Sequence, residues 1–336
     1  MDSPQTWQPT EVFRPRWGIG SGHFQTIASH VLPRSVQLPS AEERFIEVAK
    51  GIKVRCECHW QPGPVEARSN ALTVIAVHGL EGSSDSQYLR GIAHKALAAG
   101  MNAVRMNQRN CGGTEALAPT LYHSGLSGDV GAVAQALVAS EGLTRIALAG
   151  YSMGGNLVLK LAGEWGESHP ELRAVAAVCP ALDLAASADA LHDPANRLYE
   201  MHFVRRLKQR LARKAELFPQ QFNVAAANGA SSVREFDNQV TAPFSGFGNA
   251  DTYYARAAAA NVVDKIAVPT LILHAYDDPF IRIQPQTQAK ILANRNIRYV
   301  ETAHGGHCAF LATPNGYDGY WAERQMVSFL QQSGGE

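Results

Sequence analysis

The sequence carries no excess charge. Its thirty Lys and Arg residues are matched by thirty Asp and Glu, for a formal net charge of zero. The global basic surplus usual in nucleic-acid binders is therefore missing, and no nucleic-acid partner is expected. No apolar run reaches the roughly 18 residues that a membrane-spanning helix needs. Met1–Trp17 lacks a basic stretch followed by an apolar one, so no secretory leader is expected and the location reads as cytoplasmic. Cysteine is scarce, five residues and so an odd number. That argues against a disulfide framework and for free thiols in a reducing compartment. Cys56 and Cys58 alternate with Lys53, Arg55, Glu57 and His59 on the apolar face of a half-buried strand, and no second ligand pair stands at zinc spacing. Neither G-x-G-x-x-G nor G-x-x-x-x-G-K-[ST] occurs around the glycine-rich stretch near Ser152. No metal or organic cofactor is expected.

What the chain does have is alternation. Strand-like segments at Phe45–Val48 and Ile52–His59 are followed by a continuous apolar run, Ala71–Val77, of the kind that suits a strand buried on both faces. A helix over Tyr88–Ala99, a strand over Asn102–Met106 and a helix over Gly131–Ser140 come next. Then follow a strand at Arg145–Ala149, a helix at Met153–Glu164 and a strand at Ala174–Val178. The pattern lapses between about Leu184 and Val262. It resumes with strands at Thr270–His274 and Arg298–Glu301 and helices at Gln284–Ala293 and Tyr317–Gln331. Strands alternating with helices imply βαβ units and a mainly parallel sheet. The organisation expected is an α/β core from 1–183 and 262–336, with 184–261 inserted as a mostly helical cap.

Gly150-Tyr151-Ser152-Met153-Gly154 lies where one of these strands meets a helix. A serine hydroxyl is a weak nucleophile that needs a base and must stand clear of its neighbours. G-x-S-x-G at a strand-to-helix junction is the sequence form of the strained elbow that exposes it, and there the acid and the base follow the serine in chain order. The base expected is His307, behind the loop glycines Gly305 and Gly306, with His304 as rival. The acid expected is Asp278, three residues past Ala275, with Asp277 and then Asp183 as alternatives; an aspartate not so used would cap a helix or a turn. An oxyanion hole needs two backbone N–H groups. Met153 follows the nucleophile and Leu80 lies in the His78–Gly82 loop, so these are the expected donors, with His78 itself structural.

These pieces together resemble the α/β-hydrolase superfamily, and within it the YheT-like branch of abhydrolase-domain lipase- and esterase-like proteins. The resemblance is carried by WGIGSGHFQTI at Trp17–Ile27, HGLEGSSDSQYLRG at His78–Gly91 and LYHSG at Leu121–Gly125. GYSMGGN at Gly150–Asn156, HAYDDPF at His274–Phe280 and GGHCAF at Gly305–Phe310 complete it. It implies a Ser152, His307, Asp278 triad and hydrolysis of carboxylic esters through an acyl-enzyme, without metal or organic cofactor. Asn110 stands where many members have glycine. Thioesterase and acyltransferase readings use the same triad, and a non-catalytic binding protein on this fold is the remaining alternative. A small-molecule acyl ester is the expected partner. Between Met201 and Phe218, Phe203, Val204, Leu207 and Leu211 recur at helical spacing among Arg205, Arg206, Lys208, Arg210, Arg213 and Lys214. That helix reads either as a cap helix with a solvated charged face or as a peripheral contact with an anionic membrane. Phe236, Phe244, Phe247, Tyr253 and Tyr254 read equally as an acyl pocket or as cap core.

Overall fold

A computed structural model describes residues 6–334. An N-terminal helix, α1 (Gly22–Val31), precedes the antiparallel pair β1 (Glu42–Ala49) and β2 (Ile52–His59). A short α2 (Val65–Asn70) leads into β3 (Thr73–Val77), α3 (Gln87–Ala98), β4 (Asn102–Met106), α4 (Ser127–Glu141) and β5 (Ile146–Tyr151). Then come α5 (Met153–Trp165) and β6 (Leu172–Val178). The next segment is helical throughout its regular elements: α6 (Leu184–Leu191), α7 (Arg197–Leu217), the short α8 (Val233–Phe236) and α9 (Ala242–Phe244), and α10 (Ala250–Ala257). The chain ends through β7 (Thr270–Ala275), α11 (Pro285–Ala293), β8 (Ile297–Thr302) and α12 (Trp321–Gly334).

The eight strands form one sheet in the order β1-β2-β4-β3-β5-β6-β7-β8, antiparallel at the β1 edge and parallel from β4 onward. Alternation along the parallel strands divides the core in two. Ile75, Val77, Ile146 and Leu148 pack with α4 and α5 on one face, whereas Val74, Ala76, Ala147 and Ala149 pack with α3 and α12 on the other. Both faces are covered, which is why these strands read as unbroken apolar runs. On α3, Leu89, Ile92, Ala93 and Ala96 are buried, the i, i+3, i+4, i+7 stripe of a helix laid on a sheet. Strand order reverses direction at β3, between β4 and β5, and the crevice outside the strand ends at such a point is where ligands bind in open α/β sheets. Val77 pairs with Gly150 in register, so the loop after β3 and the turn after β5 leave the sheet side by side.

Two helices are longer or later than the sequence pattern suggests. α4 begins a turn before Gly131, and Asp129 lies inside it, taking Arg109 Nε and Nη2 at 2.5 Å each. α12 begins at Trp321 rather than Tyr317. The helix α1 has no counterpart in the strand–helix pattern at all.

The segment between β6 and β7 has its own apolar cluster, built from Leu184, Leu191, Leu207, Leu211, Phe222, Phe236, Tyr253 and Tyr254 among others. Of the aromatic set, Phe236, Tyr253 and Tyr254 are packed core there, whereas Phe244 is partly exposed against Phe222. The charged positions of α7 are not all solvated. Lys214 is fully buried and its ammonium donates to the carbonyls of Glu115 and Ala118 and to Asn110 Oδ1, while Arg210 reaches the loop after β3. Arg205 and Arg206 remain exposed. Among the described residues, no helix is long and apolar enough to cross a membrane.

Candidate active site

Ser152 sits between β5 and α5 with φ 55° and ψ −120°, a backbone conformation that an L residue adopts only when its surroundings enforce it. The glycines show what enforces it. A Cβ on Gly150 would stand 2.4 Å from the Gly154 carbonyl oxygen, and one on Gly154 would stand 2.3 Å from that of Val77. Strand, turn and helix are thus pressed together more closely than any side chain allows. Ser152 N–H donates to Val178 O at 3.0 Å, tying the turn to β6. Its neighbours Tyr151 and Met153 are buried while Ser152 is partly exposed.

The loop after β3 supports the turn from the other side. A Cβ on Gly79 would be 3.1 Å from Ser152 Cβ. His78 is fully buried: its Nδ1 bonds the Gly79 carbonyl at 2.7 Å, and its Nε2 accepts from Gln108 N–H at 3.1 Å. Burial lowers its pKa to about 4, so it is a neutral strut between two strand ends. In this loop Gly79 N–H and Glu81 N–H donate to the hydroxyls of Tyr88 and Tyr122. Neither Leu80 N–H nor Met153 N–H has a protein acceptor among the described residues. The first N–H groups of α5 are unpaired by helix geometry, and they carry the positive end of its dipole.

The loop after β8 brings in His307. Positive φ at Gly305 (149°), Gly306 (58°) and Cys308 (58°) folds it inward. His307 Nδ1 lies 2.8 Å from Asp278 Oδ2, and Asp278 Oδ1 accepts from the N–H groups of Phe280 and Ile281 at 3.1 and 2.9 Å. The other candidates go elsewhere. Asp277 accepts from Gly306 N–H at 2.9 Å and faces exposed His304 at 3.2 Å, so it shapes the loop. Asp183 accepts from Gln284 N–H and Thr287 Oγ1, both at 2.8 Å, at the start of α11. Val178 O accepts from both Ser152 N–H and Cys308 Sγ, which sets the serine turn beside the histidine loop. No hydrogen bond joins Ser152 Oγ to His307 among the described residues, and His307 Nε2 stands 3.9 Å from Cys308 Sγ. Such contacts in substrate-free enzymes are commonly long and tighten around substrate.

The electrostatics follow from burial and pairing. Burial alone raises the Asp278 pKa, but the facing imidazole and the donated N–H groups outweigh it and hold the carboxyl below its ordinary value. Burial disfavours a charged His307, whereas the Cys308 sulfur and the Asp278 carboxylate favour it, and the net direction is upward.

Three features of the site were not visible in residue spacing. The first is α1: Thr26 Oγ1 accepts from His307 N–H at 2.8 Å, and Gln25 bonds Leu311 through both its backbone groups, so this helix clamps the histidine loop. Its one signal was the motif string at Trp17–Ile27. The second is the ion pair between Glu81, beside the expected oxyanion donor, and Arg210 of α7. The third is Asn110, whose φ of 63° is one that asparagine tolerates in place of glycine. Its Nδ2 donates to Thr120 O at 2.6 Å.

Fold and site together define the class. Residues 73–314 match the family described as alpha/beta hydrolase fold, and the chain belongs to that family. Within it the chain falls in the YheT-like esterase and lipase branch. It is 31% identical over 320 residues to "Putative esterase YheT" of Escherichia coli (strain K12), covering 95% of this chain and 92% of that one. It is 29% identical over 240 residues to Phospholipase ABHD3 of Mus musculus, covering 71% of this chain and 58% of that one. A Pyrococcus furiosus esterase structure superposes with a TM-score of 0.55 at 16% identity, covering 90% of this chain and 99% of that one, which bears on the fold alone. The relatives support an ester-hydrolysing enzyme of the esterase and lipase type, acting on small-molecule esters.

Proposed function

We propose that the protein is a serine carboxylic-ester hydrolase in which Ser152 is the nucleophile, His307 the base and Asp278 the group that orients the base. The observation that carries this reading is the 2.8 Å contact of His307 Nδ1 with buried Asp278, beside a serine held at φ 55°. His307 Nε2 takes the Ser152 proton as Oγ attacks the ester carbonyl. The N–H groups of Leu80 and Met153 stabilise the oxyanion. The imidazolium returns the proton to the departing alcohol, and water then releases the acid through the same base. The segment 184–261 acts as a cap over the crevice and sets acyl preference.

The test is turnover of a p-nitrophenyl ester series alongside Ser152→Ala. The variant is expected to lose roughly 10⁴-fold or more in kcat, and equal turnover by both proteins would refute the assignment. Added acceptor alcohols distinguish water from alcohol as the acyl acceptor.

The reading extends to where the substrate is met. Phe24, Ile27 and Val31 are exposed on α1, and Leu198, Met201, Arg197 and Arg205 are exposed on α7, the two helices being linked by the stacked rings of His23 and Tyr199. Phosphatidylglycerol vesicles are expected to co-sediment the protein, and Ile27→Glu with Leu198→Glu to abolish it. Absence of wild-type co-sedimentation at low salt would remove the membrane contact.

A further inference from the structure

Two thiols lie against the histidine, from positions far apart in the chain. Cys179 directly follows β6 and Cys308 follows His307. Cys179 Sγ, Cys308 Sγ and a ring nitrogen of His307 lie within 4.8 Å of one another. Cys308 Sγ stands 3.9 Å from His307 Nε2. A tetrahedral zinc ion, with bonds of about 2.3 Å to sulfur and 2.0–2.1 Å to nitrogen, spaces such ligand atoms roughly 3.5–3.8 Å apart. The three groups are therefore within a small side-chain adjustment of a Cys₂His set.

Two further features suit a metal. His307 Nδ1 is already engaged by Asp278 at 2.8 Å. A carboxylate on the far nitrogen is what normally fixes the tautomer and orientation of a zinc-ligating histidine, leaving Nε2 as ligand. The surroundings of Cys179 also hold unspent donor capacity. A ring nitrogen of His274 and an oxygen of Asp278 lie within 4.8 Å of its sulfur, and His274 Nδ1 is buried without a hydrogen-bond partner among the described residues. Cys179 is closed off, but Cys308 and His307 are partly exposed, which gives an ion a way in.

We propose that Cys179, Cys308 and His307 form an inhibitory site for a thiophilic divalent cation, Zn²⁺ above all. The fourth ligand is a water on the Ser152 side. Binding displaces the two thiol protons to solvent and occupies the Nε2 lone pair, so the histidine can no longer take the serine proton. Two thiolates and an imidazole select Zn²⁺, Cd²⁺ or Co²⁺, and leave Mg²⁺ and Ca²⁺, which take oxygen ligands, without effect. The inhibition, though not the binding, rests on His307 being the base.

The experiment titrates the full-length reduced protein with Co²⁺, reading thiolate-to-metal absorption in the near ultraviolet. Zn²⁺ then displaces the cobalt, with esterase activity followed in parallel. Wild type is expected to bind one equivalent with thiolate bands and to lose more than nine-tenths of its turnover, restored by a chelator. Cys179→Ser, which keeps a polar group facing the Gly306 carbonyl, is expected to weaken binding at least 100-fold. If it does not fold, Cys308→Ala serves for the same binding readout. No thiolate bands in wild type, or equal bands in the variants, would overturn the site. Bands with undiminished turnover would overturn the inhibition, and Ser152→Ala and His307→Ala turnover would then separate a failed Nε2 ligation from a failed assignment of the base.

Discussion

Arg210 offers the sharpest test of how α7 and the loop after β3 depend on each other. Its Nε and Nη2 donate to Glu81 Oε1 and Oε2 at 2.8 and 2.9 Å, and its Nη1 donates to the Asn110 carbonyl. Tyr122 Oη adds a third bond to Glu81 at 2.7 Å. Side-chain exposure is 4% for Glu81 and 9% for Arg210, so the pair is out of water. Burial raises the Glu81 pKa, and the arginine more than reverses that, keeping the carboxylate charged. Glu81 also holds φ 58°, next to the expected oxyanion donor Leu80. Arg210→Met removes the cation and keeps most of the volume. It strands a buried carboxylate, which costs about 3–5 kcal/mol if the loop stays in place. If instead the loop swings Glu81 toward water, Leu80 moves with it, and loss of one oxyanion donor costs about 10²–10³ in kcat. Glu81→Gln with Arg210→Met removes both charges and is expected to recover at least 2 kcal/mol relative to the single arginine variant. Urea denaturation and kcat on p-nitrophenyl butyrate for the four proteins of this cycle provide the measurement. Arg210→Met within about 0.5 kcal/mol and twofold in kcat of wild type, with additive effects, would refute the reasoning.

Other predictions are simpler. Thr26→Val removes the acceptor of His307 N–H and leaves that donor unsatisfied, at about 1–3 kcal/mol. Turnover is expected to fall roughly tenfold by the same arithmetic, and kinetics indistinguishable from wild type would remove α1 from the positioning of the loop. Asp237 is buried against Tyr254 Oη at 2.7 Å, and burial raises its pKa to about 6. A carboxyl raised in the fold costs stability as pH climbs through the interval between its ordinary value near 4 and its folded value, and the full cost remains above it. Asp237→Asn is therefore expected to raise Tm at pH 8, by the equivalent of up to about 3 kcal/mol, and to change it little near pH 4.5. An equal gain at both pH values would show that the charge is not the cause.

Much of the fold was legible in the sequence. Asn102–Met106 is a strand at the bounds its composition suggests, and Met153 begins a helix as expected. α1 was not legible, because its stability comes from contacts across the fold. Gly22, Gln25 and Ala28 are its buried residues, and Gln25 works through bonds to residues near 311 rather than through an apolar stripe. The charged face of α7 misled for a related reason. Arg210 and Lys214 look solvated in a helical pattern, yet they meet carboxylate and carbonyl oxygens contributed by residues about 100 positions away.

The sequence by itself determined the alternation of strands and helices, the two-faced burial of the central strands and the glycine-bounded turn at Ser152. Each depends on spacing within a few residues, where periodicity and the steric demands of a missing Cβ act directly. Only the tertiary structure gives Asp278 and Asp277 different partners, although they are adjacent in sequence and chemically identical. The chain leaves β7 so that one carboxylate meets Nδ1 of His307 and the other meets the Gly306 N–H. Only the tertiary structure, likewise, set Cys179 beside Cys308 and Arg210 beside Glu81. Partnerships across a hundred residues are fixed by how the sheet orders its strands and how the helices between β6 and β7 pack against it, and no local pattern encodes them.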